Sequence, residues 1–142
     1  MKYKKNFLLV FLFIYLTSFS KCRTDSTDSI LYGTKWSLIK IYDSQSAKDV
    51  SNKNVFIQFD KEKGHAGGKG GCNSFSGTLS INGNKLSITR IISTKMFCGE
   101  VQEIEDAFFS QLENVNKYEI KESRLLLYHD KELLLEFEKG SK

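Results

Sequence analysis

From Trp36 onward, apolar residues recur at every second position in several short runs, and only once does the spacing change to three and four. A period of two lines one face of a strand, and short runs broken by Gly, Asn and Asp build antiparallel sheets. Such runs occupy Gly33 to Ile41, Val55 to Phe59, Gly77 to Ile81 and Lys85 to Thr89. The last two flank Asn82-Gly83-Asn84, where the Asn-Gly pair supplies the positive φ angles of a tight hairpin turn. A short run at Tyr118 to Lys121 precedes two more, Arg124 to Tyr128 and Glu132 to Phe137, around a turn at His129 to Lys131. Asp43 to Asn54 is polar and reads as a loop, and Ile91 to Cys98 is irregular. From Glu100 to Asn114, Val101, Ile104, Phe108 and Leu112 mark one face of an amphipathic helix. Glu100 and Glu103 suit its first turn, while Glu105 and Asp106 read as part of a solvated helix face rather than a metal site. The predicted fold class is mainly β (α+β): a small, partly open antiparallel barrel of about seven or eight strands, with the helix covering one opening.

The run Gly64-His65-Ala66-Gly67-Gly68-Lys69-Gly70-Gly71-Cys72-Asn73 fails as a phosphate-binding loop. Lys63 stands where the first Gly belongs, Gly70 stands where a hydroxyl must bind magnesium, and no helix follows. It reads instead as a glycine-rich strand bent tightly against another backbone. Eleven Phe, six Tyr, one Trp and the absence of proline suit a β-rich core.

Lys2, Lys4 and Lys5 followed by the apolar run Phe7 to Leu16 have the form of a secretory signal, too short to anchor in a bilayer, which needs about 20 residues. Leu16 to Cys22 resembles a relaxed bacterial lipobox in which Cys22 carries the lipid, although Lys21 departs from the usual small residue; the alternative is ordinary cleavage nearby and release. The expected organisation is a signal over 1–22, a tether over 23–29 and one domain over 30–140. The expected location is the cell envelope, on the outer membrane through a lipid anchor. The net charge of +4 does not favour nucleic acid. Lys2, Lys4, Lys5 and Lys21 all lie in the leader, and the other 17 of 21 basic residues balance 17 acidic ones.

With Cys22 lipidated, Cys72 and Cys98 remain as an even pair in an oxidising compartment, where a disulfide can form and persist. Neither belongs to a CxxC motif and the two His are far apart, so no metal site is expected.

Gly71-Cys72-Asn73-Ser74-Phe75-Ser76-Gly77, then Ser93-Thr94-Lys95-Met96-Phe97-Cys98, then Glu105 closely resemble the META/HslJ family, as do the Leu31 to Trp36 opening and the strand from Leu133 to Phe137. The resemblance spans about Ile30 to Lys139. It implies a compact barrel-like domain with one helix and a disulfide between Cys72 and Cys98. It marks Gly71, Cys72, Asn73, Gly77, Thr94, Met96 and Cys98 as the family motif, and it implies no catalytic residue and no cofactor.

Three functional readings follow. The leading one is a non-enzymatic envelope module, active in stress response or in envelope and secretion maintenance, that binds a partner protein or small hydrophobic ligand at its barrel mouth or exposed sheet. A rival is a thiol-dependent hydrolase pairing Cys72 or Cys98 with His65. A third is a protease-inhibitor-like protective protein inserting the Asp43 to Asn54 segment into its target.

Overall fold

The computed structural model describes residues 29–44 and 46–140. The leader 1–22, with Cys22, and residues 23–28 of the tether lie outside the described residues. Ser29, assigned above to the tether, instead begins a helical turn over residues 29–32. That turn is held because Leu31 is wholly buried and its carbonyl accepts the Trp36 indole N–H at 3.1 Å.

The strands are β1 (Trp36–Tyr42), β2 (Ala47–Asp49), β3 (Val55–Asp60), β4 (His65–Gly70), β5 (Ser74–Asn82) and β6 (Lys85–Ser93), followed by β7 (Lys117–Lys121), β8 (Arg124–His129) and β9 (Glu132–Lys139). Between β6 and β7, a 3-10 turn (Gly99–Val101) leads directly into α1 (Gln102–Asn114). All neighbouring strands pair antiparallel, in the order β2-β1-β3-β4-β5-β6-β7-β8-β9, and β1 also pairs with β9 to bring the sheet round into a ring. The ninth strand beyond the expected seven or eight is β2, which forms inside the segment read as a loop. Its three exposed residues carry no hydrophobic pattern; it exists because Lys40, Ile41 and Tyr42 offer β1 as a template. Side-chain turns on either side pin it: Asp43 accepts from the Ser46 N–H at 2.7 Å, and Asp49 from the Ser51 N–H at 3.0 Å. Hydrogen-bonding Asp and Ser side chains of this kind make turns without apolar burial.

The ring is weakest between β6 and β7, where the ladder has the single pair Lys85–Lys117. Beyond it the strands diverge, and α1 packs across the opening against β6, β4, β9 and β1. Phe108 and Leu112 on its inner face are fully buried, and Ile104 nearly so. Phe108 meets Phe75 edge-on at 5.5 Å and Phe137 at 6.5 Å, and with Trp36, Leu38, Ile57, Leu125, Leu127 and Leu135 these side chains fill the barrel axis. Each such buried side chain contributes roughly 1.5–3 kcal/mol relative to exposure.

The glycine-rich run is indeed a strand, β4, set tightly between β3 and β5. A Cβ at Gly68 would come within 2.0 Å of the Phe56 carbonyl oxygen, so no other residue lets the two backbones approach as they do. In the β5–β6 hairpin the positive φ falls on Gly83 (61°) and not on Asn82, so one residue rather than the Asn-Gly pair carries the turn.

Candidate functional site

Of the residues that the resemblance marks, all but Gly77 come together at one end of the barrel around Asn73. Gly71, Cys72 and Asn73 form the connection from β4 to β5, with Gly71 at φ +121° and the Gly70 N–H bonded to the Asn73 carbonyl at 2.8 Å. Asn73 is 3 % exposed, and its side-chain amide spends its whole hydrogen-bonding capacity inside the protein. Its Oδ1 accepts the Thr94 hydroxyl at 2.7 Å and the Met96 N–H at 2.8 Å. Its Nδ2 donates to the Met96 carbonyl at 2.9 Å and to Oε1 of Glu105. The other Glu105 oxygen accepts the Asn73 N–H at 2.7 Å and the Cys72 N–H at 3.2 Å. One side chain thereby ties the β4–β5 connection to the segment leaving β6, and Glu105 ties both to α1.

Glu105 is 2 % exposed, which corrects its assignment to a solvated helix face. The cause is a set of three donors from the β4–β5 connection that no apolar residue could satisfy. A signal for this was present: Glu105 falls one helical turn after Val101 and beside Ile104, inside the apolar stripe. Gly70 makes the approach possible, since a Cβ there would stand 2.9 Å from the Glu105 carboxylate and 2.8 Å from the Phe109 ring.

Cys72 and Cys98 form a disulfide with Cα atoms 6.1 Å apart, within the ordinary range, and so clamp the same two connections covalently. Gly77 lies further along β5, opposite an irregularity in the β5–β6 ladder where β6 carries an extra residue and Arg90 has a φ of 52°. A Cβ on Gly77 would come 2.8 Å from Ile88, so Gly77 serves that packing rather than the Asn73 network. His65 begins β4 and Cys72 lies beyond its other end, Gly70, which is roughly 17 Å from His65 at the usual strand rise. The Cys–His pair considered from the sequence is therefore not formed, and both thiols are consumed. Nδ1 of His65 is buried without a hydrogen-bond partner.

Met96 is held by its backbone, and its side chain is free. Ile92, Met96 and Phe97 are 71 %, 57 % and 84 % exposed, an apolar rim on the segment that the network pins. Beside it a shallow concavity of about 280 Å³ opens between Met96 and Phe97 on one side and Gln102 and Asp106 of α1 on the other, with Asn73 and Phe109 among its lining.

A second polar cluster lies on the outer face of the barrel. Glu136 is paired in register with Lys40 and lies opposite Leu126, so it points away from the face that Phe137 gives to the core. It accepts the Tyr42 hydroxyl at 2.7 Å, forms an ion pair with Arg124 and has the Lys40 ammonium at 4.0 Å. Burial works to raise the Glu136 carboxyl, but the Tyr42 and Arg124 hydrogen bonds outweigh it and hold the group below its ordinary value. Burial, and next the bond to Glu136, push the Tyr42 hydroxyl from 10.0 up to about 12. These side chains span β1, β9 and β8, where the ring closes, and they brace that closure.

The signs give a pH dependence. Glu136 stabilises the fold above its unfolded pKa, and that contribution is lost as the pH falls through its depressed folded value. Tyr42 acts at the other extreme, because the unfolded tyrosine ionises near pH 10 while the folded one keeps its proton to about 12. Stability should accordingly fall between pH 10 and 12, and the phenolate absorbance of Tyr42 should appear only toward the upper end of that range. A titration above pH 11 that is identical in Tyr42→Phe and the parent chain would contradict this.

A family model described as META domain matches residues 29–141. Several solved structures share the fold, two of them as follows. One is the NMR structure of a protein from Burkholderia xenovorans (TM-score 0.68, 20 % identity, covering 89 % of this chain and 97 % of that one). The other is the crystal structure of a DUF4847-family protein from Bacteroides vulgatus (TM-score 0.59, 17 % identity, covering 82 % and 99 %). No curated protein matches the chain significantly. The family match covers the whole described domain, so the chain belongs to the META domain family.

Proposed function

We propose that this chain is an exported envelope protein, tethered to the outer membrane by a lipid on Cys22, that acts by binding a partner in envelope or secretion maintenance under stress and not by catalysis. The observation that carries the reading is the state of the motif: Asn73, Thr94 and Glu105 turn their polar groups on one another, and Cys72 and Cys98 are bonded together. A catalytic set needs a nucleophile or a base left free to meet a substrate. This motif instead stiffens a surface. The filled barrel axis favours an occupant on the outside of the domain over a hydrophobic ligand held within the barrel.

The test is the intact mass of the protein purified from native membranes, before and after reduction and alkylation. A mass beginning at an acylated Cys22, with Cys72 and Cys98 alkylated only after reduction, is expected. Reactive thiols in the unreduced protein would restore the thiol-enzyme reading, and an unacylated start would remove the tether.

A further inference from the structure

We infer that the Met96–Phe97 rim, together with the concavity beside it, docks a short segment of another protein in which an apolar side chain is flanked by Lys or Arg; the inference rests on the binding reading above. Phe97 keeps its ring almost wholly in water, although burying a side chain of that size is worth roughly 1.5–3 kcal/mol. The backbone that carries the ring is held on both sides. On one side the Met96 N–H and carbonyl are both bonded to Asn73, and on the other Cys98 is in the disulfide. A partner that covers Phe97 therefore meets a preorganised surface and loses little conformational entropy in ordering it. The concavity between this rim and α1 is the size of a side chain or two, not of a folded element.

Charge identifies what flanks the apolar group. Asp106 lines the concavity, and Glu103, three residues earlier on the helix, is its surface neighbour. Glu100 precedes both. All three are exposed, and none forms an ion pair among the described residues. Lys95 is the basic residue of the lining, while the 3-10 turn and α1 that border it carry no Lys or Arg between Gly99 and Asn114. That acidic border attracts a basic segment and repels an anionic headgroup surface.

The experiment places a photo-crosslinking benzoylphenylalanine at Phe97 in the full chain, in its own cells, with a second probe at Lys131 in the β8–β9 turn as a control. A protein adduct is expected at Phe97 and not at Lys131. Mass spectrometry should place its crosslinked residue within a segment that has Lys or Arg beside an apolar side chain. Adduct yield should fall at least tenfold in the Glu103→Lys, Asp106→Lys double variant. Both positions are on the surface, and charge reversal near the helix start costs only roughly 0.3–1 kcal/mol per site, so that variant should still unfold cooperatively within several degrees of the parent, separating lost docking from lost folding. A lipid adduct, an adduct with a second copy of this chain, or a protein adduct indifferent to the charge reversal overturns the inference. An adduct only at Lys131 overturns the rim while leaving the binding reading in place. No adduct at either position counts against both, and the intact-mass result then distinguishes them.

Discussion

Asn73→Ala should cost about 3–5 kcal/mol, read as a fall in the urea midpoint at unchanged m-value. The truncation leaves the Met96 N–H and carbonyl, the Thr94 hydroxyl and one Glu105 oxygen without their partner. The groups on the segment leaving β6 lie near solvent and can take up water, which keeps the cost below four full desolvation penalties. Glu105 cannot do so at 2 % exposure. Two further variants separate this account from simple loss of packing. In Asn73→Asp a carboxylate faces the Glu105 carboxylate, and two like charges at hydrogen-bond distance raise the pKa of one of them. Its folded pKa then exceeds its unfolded value, so the variant should be least stable near neutrality and recover as the pH falls through that raised value. In Glu105→Gln the shape is kept, but an NH₂ group meets a pocket of three donors. It should lose about 2–4 kcal/mol, because a donor is buried against donors. If Asn73→Asp is as stable as the parent at pH 7, the hydrogen-bond assignment of the network is wrong.

Removing the disulfide by Cys72→Ser and Cys98→Ser together should cost about 3.5 kcal/mol, the chain-entropy value for a loop closed across 26 positions. For a domain of this size that is a large share of the total stability. Because the bridge and Asn73 fasten the same two connections, the combined variant should lose measurably less or more than the two separate losses together, with a coupling of 0.5 kcal/mol or greater. Strict additivity would mean that the bridge and the amide act on independent parts of the structure. An equal urea midpoint for the reduced and oxidised protein would mean that the denatured chain gains nothing from release of the loop.

The strands and the helix were legible because their signals are local. Val55, Ile57 and Phe59 alternate on β3, and Ile104, Phe108 and Leu112 recur on α1, and each pattern buries the face it predicts. The glycine-rich run could be recognised as a close backbone approach from its composition alone, and the pairing of Cys72 with Cys98 was an expectation from the family resemblance that the structure bears out. The helical turn at 29–32 carries no such pattern, since it is held by Leu31 reaching Trp36. β2 was missed for the same reason, because its pairing is offered by β1 and its own side chains are exposed.

What the amino-acid sequence determined by itself was the mainly β class, the amphipathic helix and the family, all of which are written in spacing and residue type. Only the tertiary structure decided the closure of β1 on β9, the burial of Glu105 and Glu136 and the exposure of Phe97. Each of these depends on groups far apart in the chain: Asn73 and Glu105 are 32 positions apart, and Tyr42 and Glu136 are 94. Whether a carboxylate is solvated or buried depends on which donors the fold brings to it, and no local period carries that information.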